Sequence, residues 1–403
     1  PVFFKEYWNS STDIERSTFH LGLANSLSSL VVVFLAPLLG AIADKGGSRR
    51  KFLFAFAFLG ILATGCLYLV SEGAWILAVF VYALAAVGFS GANTFYDSLL
   101  VAVADREASD FVSALGYSLG YLGGGLLFAL NVAMVLHPQT FGLADATQAV
   151  RVCFLMVAIW WAVFSIPLWL WVEESTPTQP NKGWRAISAG YRQLIETFRE
   201  IRRLRVTFVF LISYWLYIDG VDTIVRMAVD YGMSIGFATD NLLLALGITQ
   251  FVGFPAAIIF GKLGEKIGTR KGLFIGLAAY IAVTVWGYFL DEIWEFYLLA
   301  TAVGLVQGGV QALSRSLYSR LIPRNRAAEF FGFYNMLGKF AAVIGPALMG
   351  AVGLLARHWM MPEMPTEGEM ELVGQEAARW SIGSIIILFT LGAWLLFHVD
   401  EEK

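Results

Sequence analysis

Long apolar runs separated by short polar segments dominate the chain. A helix needs about 20 predominantly apolar residues to cross a bilayer, and eleven runs reach that length. The predicted spans are 18–43, 52–71, 74–104, 109–136, 148–172, 204–231, 237–263, 271–290, 293–322, 328–356 and 378–399. The pattern therefore predicts an all-α membrane protein.

Composition agrees with this prediction and excludes other classes. Of 403 residues, 58% are hydrophobic and 15% are charged, and the apolar share exceeds the roughly one half that is typical of soluble domains. The basic residues lie near the ends of spans, so we expect no nucleic-acid partner. The chain has no Ser-His-Asp, CxxC or P-loop pattern and no histidines at metal-ligand spacing, so we expect neither an enzyme nor a bound metal or cofactor.

Two polar loops between spans repeat one pattern. The first loop (40–50) and the second loop (261–270) share glycines, an acid and arginines at matching positions, 221 residues apart: Gly40, Asp44, Gly47, Arg49 and Arg50 in the first, Gly261, Glu265, Gly268 and Arg270 in the second. Glycine permits close helix approach, and the acid can pair with an arginine across the loop. We interpret both loops as a conformational latch; the alternative is a plain turn between spans.

This pattern resembles the signature loop of the major facilitator superfamily of transporters, which lies between the second and third spans of each half. The resemblance implies a major facilitator fold of two six-helix parallel repeats. Only one predicted span precedes the first loop, so we expect a further span before Pro1 and twelve in the native protein. The predicted domains are an N-terminal half (1–172), a linker with an amphipathic helix (173–203) and a C-terminal half (204–403).

The distribution of the 28 Lys and Arg residues predicts the orientation. Five of them lie on the side opposite the signature loops: Lys5, Arg16, Arg151, Arg357 and Arg379. Nearly all the others lie on the side of the loops, and loops rich in Lys and Arg stay in the cytoplasm. We therefore expect the signature loops, the linker and the C-terminus to be cytoplasmic, and the Glu-rich segment 357–379 to be a solvated outer loop.

Four ionisable residues within predicted spans are candidates for a charge site. Asp219, Asp222 and Arg226 are spaced by three and four residues and so share one helical face, and Lys339 lies at a similar depth in another span. Such groups are costly in a membrane and mark functional sites. We interpret them as a proton or substrate charge site in which Asp219 pairs with Lys339; a structural ion pair between helices is the alternative.

Hydrogen-bonding residues in other spans are candidates for a substrate cavity. They are Asn93, Tyr96, Asp97, Tyr121, Tyr217, Gln307, Gln311 and Asn335. At a repeat offset of 218, Asp97 aligns with Arg315, and we expect the two to meet as a cytoplasmic gate. The glycine-rich run 116–125 resembles the antiporter motif of the superfamily's fifth span, with Tyr121 in place of its proline; helix packing is the alternative role.

The runs 116–125, 217–224, 309–316 and 329–346 resemble the branch of autophagy-related vacuolar amino-acid effluxers and their bacterial relatives. That resemblance implies amino-acid efflux, by antiport, for the vacuolar members. We therefore predict a proton-coupled secondary transporter of a small organic solute, monomeric in the lipid bilayer, with a bacterial inner membrane favoured over a vacuolar one. The alternative is a non-transporting or lipid-handling membrane protein that keeps the fold.

Overall fold

A computed structural model describes residues 7–8, 31, 36–45, 49–173, 189, 191–192, 195–197, 204–362 and 366–399. Within these ranges the regular secondary structure is helical. The helices are α1 (36–45), α2 (Arg49–Cys66), α3 (Trp75–Ser98), α4 (Leu100–Val103), α5 (Ser109–Leu136), α6 (Ala146–Trp171), α7 (Arg205–Ser234), α8 (Thr239–Ile267), α9 (Thr269–Tyr288), α10 (Ile293–Leu321), α11 (Ala327–Met360), α12 (Glu367–Ser384) and α13 (Ile386–Leu396).

The predicted all-α membrane architecture is confirmed. Ten helical segments of the described ranges are long and apolar enough to cross a membrane, and they match ten of the eleven predicted spans. The predicted span 18–43 lies largely outside the described residues, and so does most of the amphipathic helix predicted in the linker.

The chain divides into two compact units that interleave along the sequence. The first comprises Pro1–Val103, Leu126–Arg199 and Pro323–Met336, and the second comprises the remainder: Ala104–Gly125, Glu200–Ile322 and Leu337–Lys403. The start of α11 therefore packs with the first unit, and the first half of α5 with the second. Each unit joins helices from both predicted halves of the sequence.

Small residues bring α2 and α3 together in the first unit. A side chain at Gly88 would overlap the backbone of Gly60, and one at Gly91 would overlap the ring of Phe56. A side chain at Gly60 would also overlap the ring of Trp161 of α6. Close packing over glycine is a common device where lipid supplies no hydrophobic drive for helices to associate.

The second unit uses the same device around α10. Gly304 lies against Thr249 of α8, and Gly309 faces the ring of Phe260 on that helix. On the other side of the unit, the Ser213 hydroxyl of α7 donates to the carbonyl of Gly392 on α13 at 2.7 Å. Helix α7 is thereby fixed against α13, and its polar residues hold defined positions.

The Glu-rich segment 357–379 is more ordered than expected. The sequence predicts a solvated loop over 357–379, but α11 continues to Met360 and α12 begins at Glu367. Thr366 and Glu369 form a capping box, in which each side chain accepts from the other's backbone N–H. That pairing satisfies N–H groups at the start of a helix, so most of the described part of the segment is helical.

Candidate functional site

The acid of the first signature loop caps the start of α11. Asp44 Oδ1 accepts from Arg49 Nε at 2.7 Å and from the backbone N–H of Ala328 at 3.2 Å, and Oδ2 accepts from the N–H of Glu329 at 2.9 Å. The N–H groups that begin a helix have no partner within it and carry its positive dipole end. Asp44 therefore joins the first loop to a helix 284 residues further along the chain.

Burial shapes the chemistry of this cap. Asp44 is 8% exposed, and burial raises the pKa of its carboxyl to about 6, against the lowering effects of Arg49 and the two N–H donors. Arg49 also donates to the carbonyl of Arg324 at 3.1 Å. Gly40 lies so close to Ala328 that a side chain there would overlap its carbonyl. The predicted latch residue Gly47 lies outside the described residues.

The acid of the second loop makes no equivalent bond. Glu265 is exposed, and no hydrogen bond or ion pair involves it anywhere in the described ranges. Asp110, at the start of α5, contacts the second loop instead, through side chains: its Oδ2 accepts from Thr269 Oγ1 at 2.7 Å and from Arg320 at 3.1 Å. Gly261 approaches Asp110 and Ala114 as Gly40 approaches Ala328.

One arginine in each loop bonds to the carbonyl of a residue at the end of another helix. The two arginines that correspond in this way differ by one residue from the alignment expected from the sequence. Arg50 donates to the carbonyl of Trp169 at the end of α6, and Arg270 donates to the carbonyl of Phe397 after α13, both at 2.5 Å. The pairing is therefore Arg50 with Arg270, an offset of 220 rather than 221. Between α8 and α9, Gly268 has a φ of 93°, which only glycine adopts readily.

In the first unit, Asp97 of α3 is bonded to the start of α11. Asn335 Nδ2 donates to Asp97 Oδ2 at 3.1 Å, and Asp97 is 8% exposed. Of the two other predicted cavity residues on α3, Tyr96 is exposed and Asn93 is half-buried. The structure thus brings two predicted cavity residues, Asp97 and Asn335, into direct contact.

Arg315, which was expected to meet Asp97, is held within the second unit. Its guanidinium donates to the Ser113 hydroxyl and carbonyl, both at 2.9 Å, and lies 4.7 Å from the centre of the Tyr117 ring. At the offset of 218, Tyr117 is the repeat mate of Asn335. The two pairs, Asp97 with Asn335 and Arg315 with Tyr117, therefore occupy equivalent places in the repeats.

The predicted ion pair between Asp219 and Lys339 does not form. Asp219 Oδ1 accepts from the N–H of Gly345 at 2.9 Å and from the Thr223 hydroxyl at 3.3 Å, whereas its buried Oδ2 has no hydrogen-bond partner among the residues that the structure describes. Asp219 is 1% exposed. Depth counted from span ends suggested Lys339, but the backbone of α11 just before Pro346 satisfies the carboxyl instead.

The other charges of this region lie on exposed or half-buried side chains of the second unit. Arg226 and Asp222 approach to 4.0 Å, with side chains 57% and 27% exposed. Lys339 is half-buried and interacts electrostatically with both. Tyr121 interacts with Asp222 and donates to Gln311 Oε1 at 3.4 Å, so four helices contribute to this polar cluster.

Three further residues, two predicted and one not, lie on helices of the second unit. Tyr217, predicted as a cavity residue, is fully buried, and its hydroxyl is 2.6 Å from that of Ser314. It therefore joins α7 to α10 rather than lining an open space. Tyr280 of α9 was not predicted, although a tyrosine in the middle of a span is a signal. Its buried hydroxyl interacts electrostatically with Tyr121 and Asp222. In the part of the chain that the structure describes, neither this hydroxyl nor the buried Oε1 atom of Gln307 has a hydrogen-bond partner.

Comparison with known sequences places these features in a family. The family described as "Vacuole effluxer Atg22 like" matches residues 10–109 and 101–353. The chain is 35% identical over 404 residues to the uncharacterized MFS-type transporter YxiO of Bacillus subtilis, covering 100% of this chain and 90% of that protein. It is 24% identical over 416 residues to autophagy-related protein 22 of Yarrowia lipolytica, covering 81% and 69%.

Comparison with solved structures confirms the fold. The chain is similar to the proton:xylose symporter XylE, with a TM-score of 0.71 and 14% identity over 100% of this chain and 91% of that one. It is also similar to FucP in its outward conformation, with a TM-score of 0.66 and 10% identity over 94% and 90%. Both are major facilitator transporters, and at these identities the likeness concerns the fold alone.

Proposed function

The chain belongs to the vacuole effluxer Atg22 like family and is a transporter of the major facilitator superfamily, and from this premise we propose that it moves a small organic solute by proton-coupled alternating access. Amino acids are the solute class that the family resemblance favours. Export is the proposed direction because the family is described as one of effluxers. The bacterial relative favours an inner membrane, with the signature loops and linker in the cytoplasm.

The observation that carries proton coupling is the state of Asp219. This carboxyl is 1% exposed in the middle of α7, and within the described ranges one of its oxygens has no hydrogen-bond partner. A buried carboxylate without a cation is costly in a membrane, whereas a proton on Oδ2 would remove the charge and leave Oδ1 free to accept from Gly345 and Thr223. Asp219 can therefore exchange a proton whenever a conformational change admits water to it.

The signature-loop contacts supply the conformational half of the proposal. Asp44 holds the start of α11 and Asp110 holds Thr269 at the start of α9, and each bond joins sequence segments of opposite halves. Alternating access requires contacts between halves that form in one state and break in the other. We propose that these two carboxylates are such contacts, with Asp44 as the latch of the first loop.

Reconstituted vesicles test the function directly. Radiolabelled amino acids and small organic acids should accumulate against a concentration gradient when a pH gradient is imposed, and the accumulation should collapse with a protonophore. Asp219→Asn should abolish this accumulation yet leave part of the exchange of labelled for unlabelled solute.

The matched control is Asp230→Asn, which removes an exposed carboxylate from the same helix and should leave accumulation unchanged. If Asp219→Asn accumulates solute as well as the parent at every pH, the assignment of the proton site is wrong. If the parent moves no solute under any gradient, the non-transporting or lipid-handling alternative is favoured.

A further inference from the structure

An open groove of the second unit lies between α9, α11 and α12 and continues along the start of α13. It has a volume of about 430 Å³, and its lining includes Val285, Tyr288, Phe289, Val352, Trp380 and Ile387. The stretch from Trp380 to Ile387 corresponds to about 10 Å of helix. That length is about a third of the hydrocarbon core of a membrane.

The walls of the groove suit a hydrocarbon chain. The two hydroxyls among the small side chains of its lining are bonded to backbone carbonyls: Thr284 donates to Tyr280 at 2.8 Å, and Ser384 donates to Ser381 at 2.6 Å. Apolar cavities stay free of ordered water. In a protein that crosses a membrane, an acyl chain of a lipid is therefore the occupant that matches these walls.

One end of the groove has the features of a membrane surface. Helix α9 ends at Tyr288, and the acidic residues Asp291 and Glu292 follow it. The rings of Tyr288 and Trp380 meet edge to face, with their centroids 5.6 Å apart. Tyrosine and tryptophan are enriched where a membrane meets water. A lipid whose chain lies in the groove would place its headgroup at this end.

Two carboxylates share one guanidinium at the same end. Arg379 Nη2 donates to Asp291 Oδ1 at 2.5 Å, and Arg379 Nε lies 3.9 Å from Glu376 Oε1. Arg379 Nη1 also donates to the carbonyl of Tyr288 at 3.3 Å, which fixes the arginine beside the groove. The side chain of Arg379 is 17% exposed, whereas those of Asp291 and Glu376 are 72% and 52% exposed.

The groups that a headgroup would meet are therefore hydrogen-bond acceptors. Glu376 lies one turn before Trp380, on the face of α12 that carries the groove residue Gly383. An ionised carboxylate accepts several hydrogen bonds, and an ammonium group supplies three donors. The neighbouring acids Glu292 and Glu295 form the capping box of α10. Charge complementarity thus favours an ammonium headgroup over an anionic one.

From these observations we infer that the groove binds an acyl chain of a phospholipid whose headgroup carries a primary ammonium, and that this ammonium binds Asp291 and Glu376. None of these residues belongs to the proposed proton site or to the signature loops. Lipid binding at the groove therefore goes beyond the proposed function and does not depend on it.

Native mass spectrometry of the purified protein in detergent would measure its affinity for single lipids. Dioleoyl phosphatidylethanolamine, phosphatidylcholine and phosphatidylglycerol have the same chains and differ in the headgroup. We expect the ethanolamine lipid to bind about tenfold more tightly than the other two, because choline has no N–H to donate and the glycerol headgroup has no cation. Glycerophosphoethanolamine, which has the headgroup without the chains, should not bind.

Two variants test the chain and the headgroup separately. Val352→Phe narrows the groove and should weaken binding of the ethanolamine lipid about tenfold, whereas Leu354→Phe adds the same ring at an exposed position of α11 and should not. Glu376→Gln should remove the preference for the ethanolamine headgroup over the glycerol headgroup. Glu371→Gln changes another exposed acid of α12 and should keep that preference.

Three results would overturn the inference. Equal binding of the three lipids would mean that the groove takes whichever chains surround the protein. Unchanged affinity of a folded Val352→Phe variant would place the chain elsewhere. Because Glu376 is exposed, Glu376→Gln tests the headgroup contact even where Val352→Phe does not fold, and retention of the parent's preference would contradict that contact.

Discussion

Asn335 Nδ2 donates to Asp97 Oδ2 at 3.1 Å and so joins the first part of α11 to the end of α3. The repeat mate of this pair, Tyr117 beneath the guanidinium of Arg315, ties α5 to α10. The first pair consists of an acid and an amide, whereas the second consists of a cation and an aromatic ring. The duplicated fold thus keeps the place of the interhelical contact while its chemistry differs.

The Asp97 and Asn335 pair predicts a specific double-mutant cycle. Asn335→Asp places two carboxyls at hydrogen-bond distance and should destabilise the protein, because neither ionised group can donate to the other. Adding Asp97→Asn restores a donor and an acceptor with their roles exchanged. We expect the double variant to regain about 1–3 kcal/mol relative to additivity, measured by thermal or chemical unfolding in detergent. Additive effects, within about 0.5 kcal/mol, would show that the two side chains are not coupled.

Asp44 predicts a latch that its repeat mate does not share. Asp44→Ala leaves Arg49 buried without its carboxylate and uncaps the N–H groups of Ala328 and Glu329, so we expect the α11 contact to open more often. A loss of about 1–3 kcal/mol corresponds to about 5- to 150-fold in the open population. The alkylation rate of a cysteine introduced by Ala327→Cys, with Cys66 and Cys153 replaced by serine, measures that population.

Glu265→Ala is the matched control for the latch, because Glu265 is exposed and makes no bond among the described residues. It should change the alkylation rate by less than about twofold, since exposed substitutions usually fall within about 0.5 kcal/mol. Equal effects of the two substitutions would contradict the assignment of the latch to Asp44.

The pKa of Asp44 predicts how the capped arrangement depends on pH. Burial raises that pKa to about 6 from 3.8, so the capped form binds a proton more tightly than a form in which the carboxyl is exposed. The contribution is fully present below about pH 4 and is lost as the pH rises through 6, by at most about 1.4 kcal/mol per pH unit. This pH-dependent contribution concerns only the gain or loss of a proton by Asp44. The cost of removing the Asp44 side chain in Asp44→Ala adds to it at every pH.

Melting temperatures of the parent and of Asp44→Ala between pH 4 and pH 8 test this dependence. The difference between the two proteins should grow in favour of the parent as the pH falls from 7 to 4. A difference that shrinks over this range would mean that the ionised carboxylate is the better cap.

The fold could be predicted because lipid exposure imposes apolar runs of a set length, and the loops repeat in register. Contacts between distant helices could not be predicted in the same way. Asp110 and Thr269 are 159 residues apart, and neither belongs to the repeated motif. For Asp219 the spacing predicted a shared helical face but could not show that the carboxyl would meet the backbone near Pro346 rather than Lys339. The depth of a residue along a span can be counted from the sequence, whereas the direction of its side chain between packed helices cannot.

Because the backbone of α11 approaches Asp219 closely at Gly345, we expect even a methyl side chain at that position to destabilise the protein. A methyl group at Gly345 would overlap Thr223 Oγ1 and lie 2.8 Å from Asp219 Oδ1. To admit the methyl, either the Thr223 hydroxyl must turn away from Asp219 into its other helical rotamer or α7 and α11 must separate. Gly345→Ala should therefore cost about 1–3 kcal/mol and weaken the bond from the Gly345 N–H to Asp219.

Gly350→Ala on the same helix meets no atom within 4 Å, and we expect it to be neutral or to stabilise by up to about 1 kcal/mol. Replacing Thr223 with alanine as well should recover part of the Gly345→Ala loss, because the overlapping hydroxyl is then gone. If both glycine variants melt at the parent temperature, α11 does not approach Asp219 as closely as the structure shows, and the assignment of the Gly345 backbone as the partner of Asp219 is wrong.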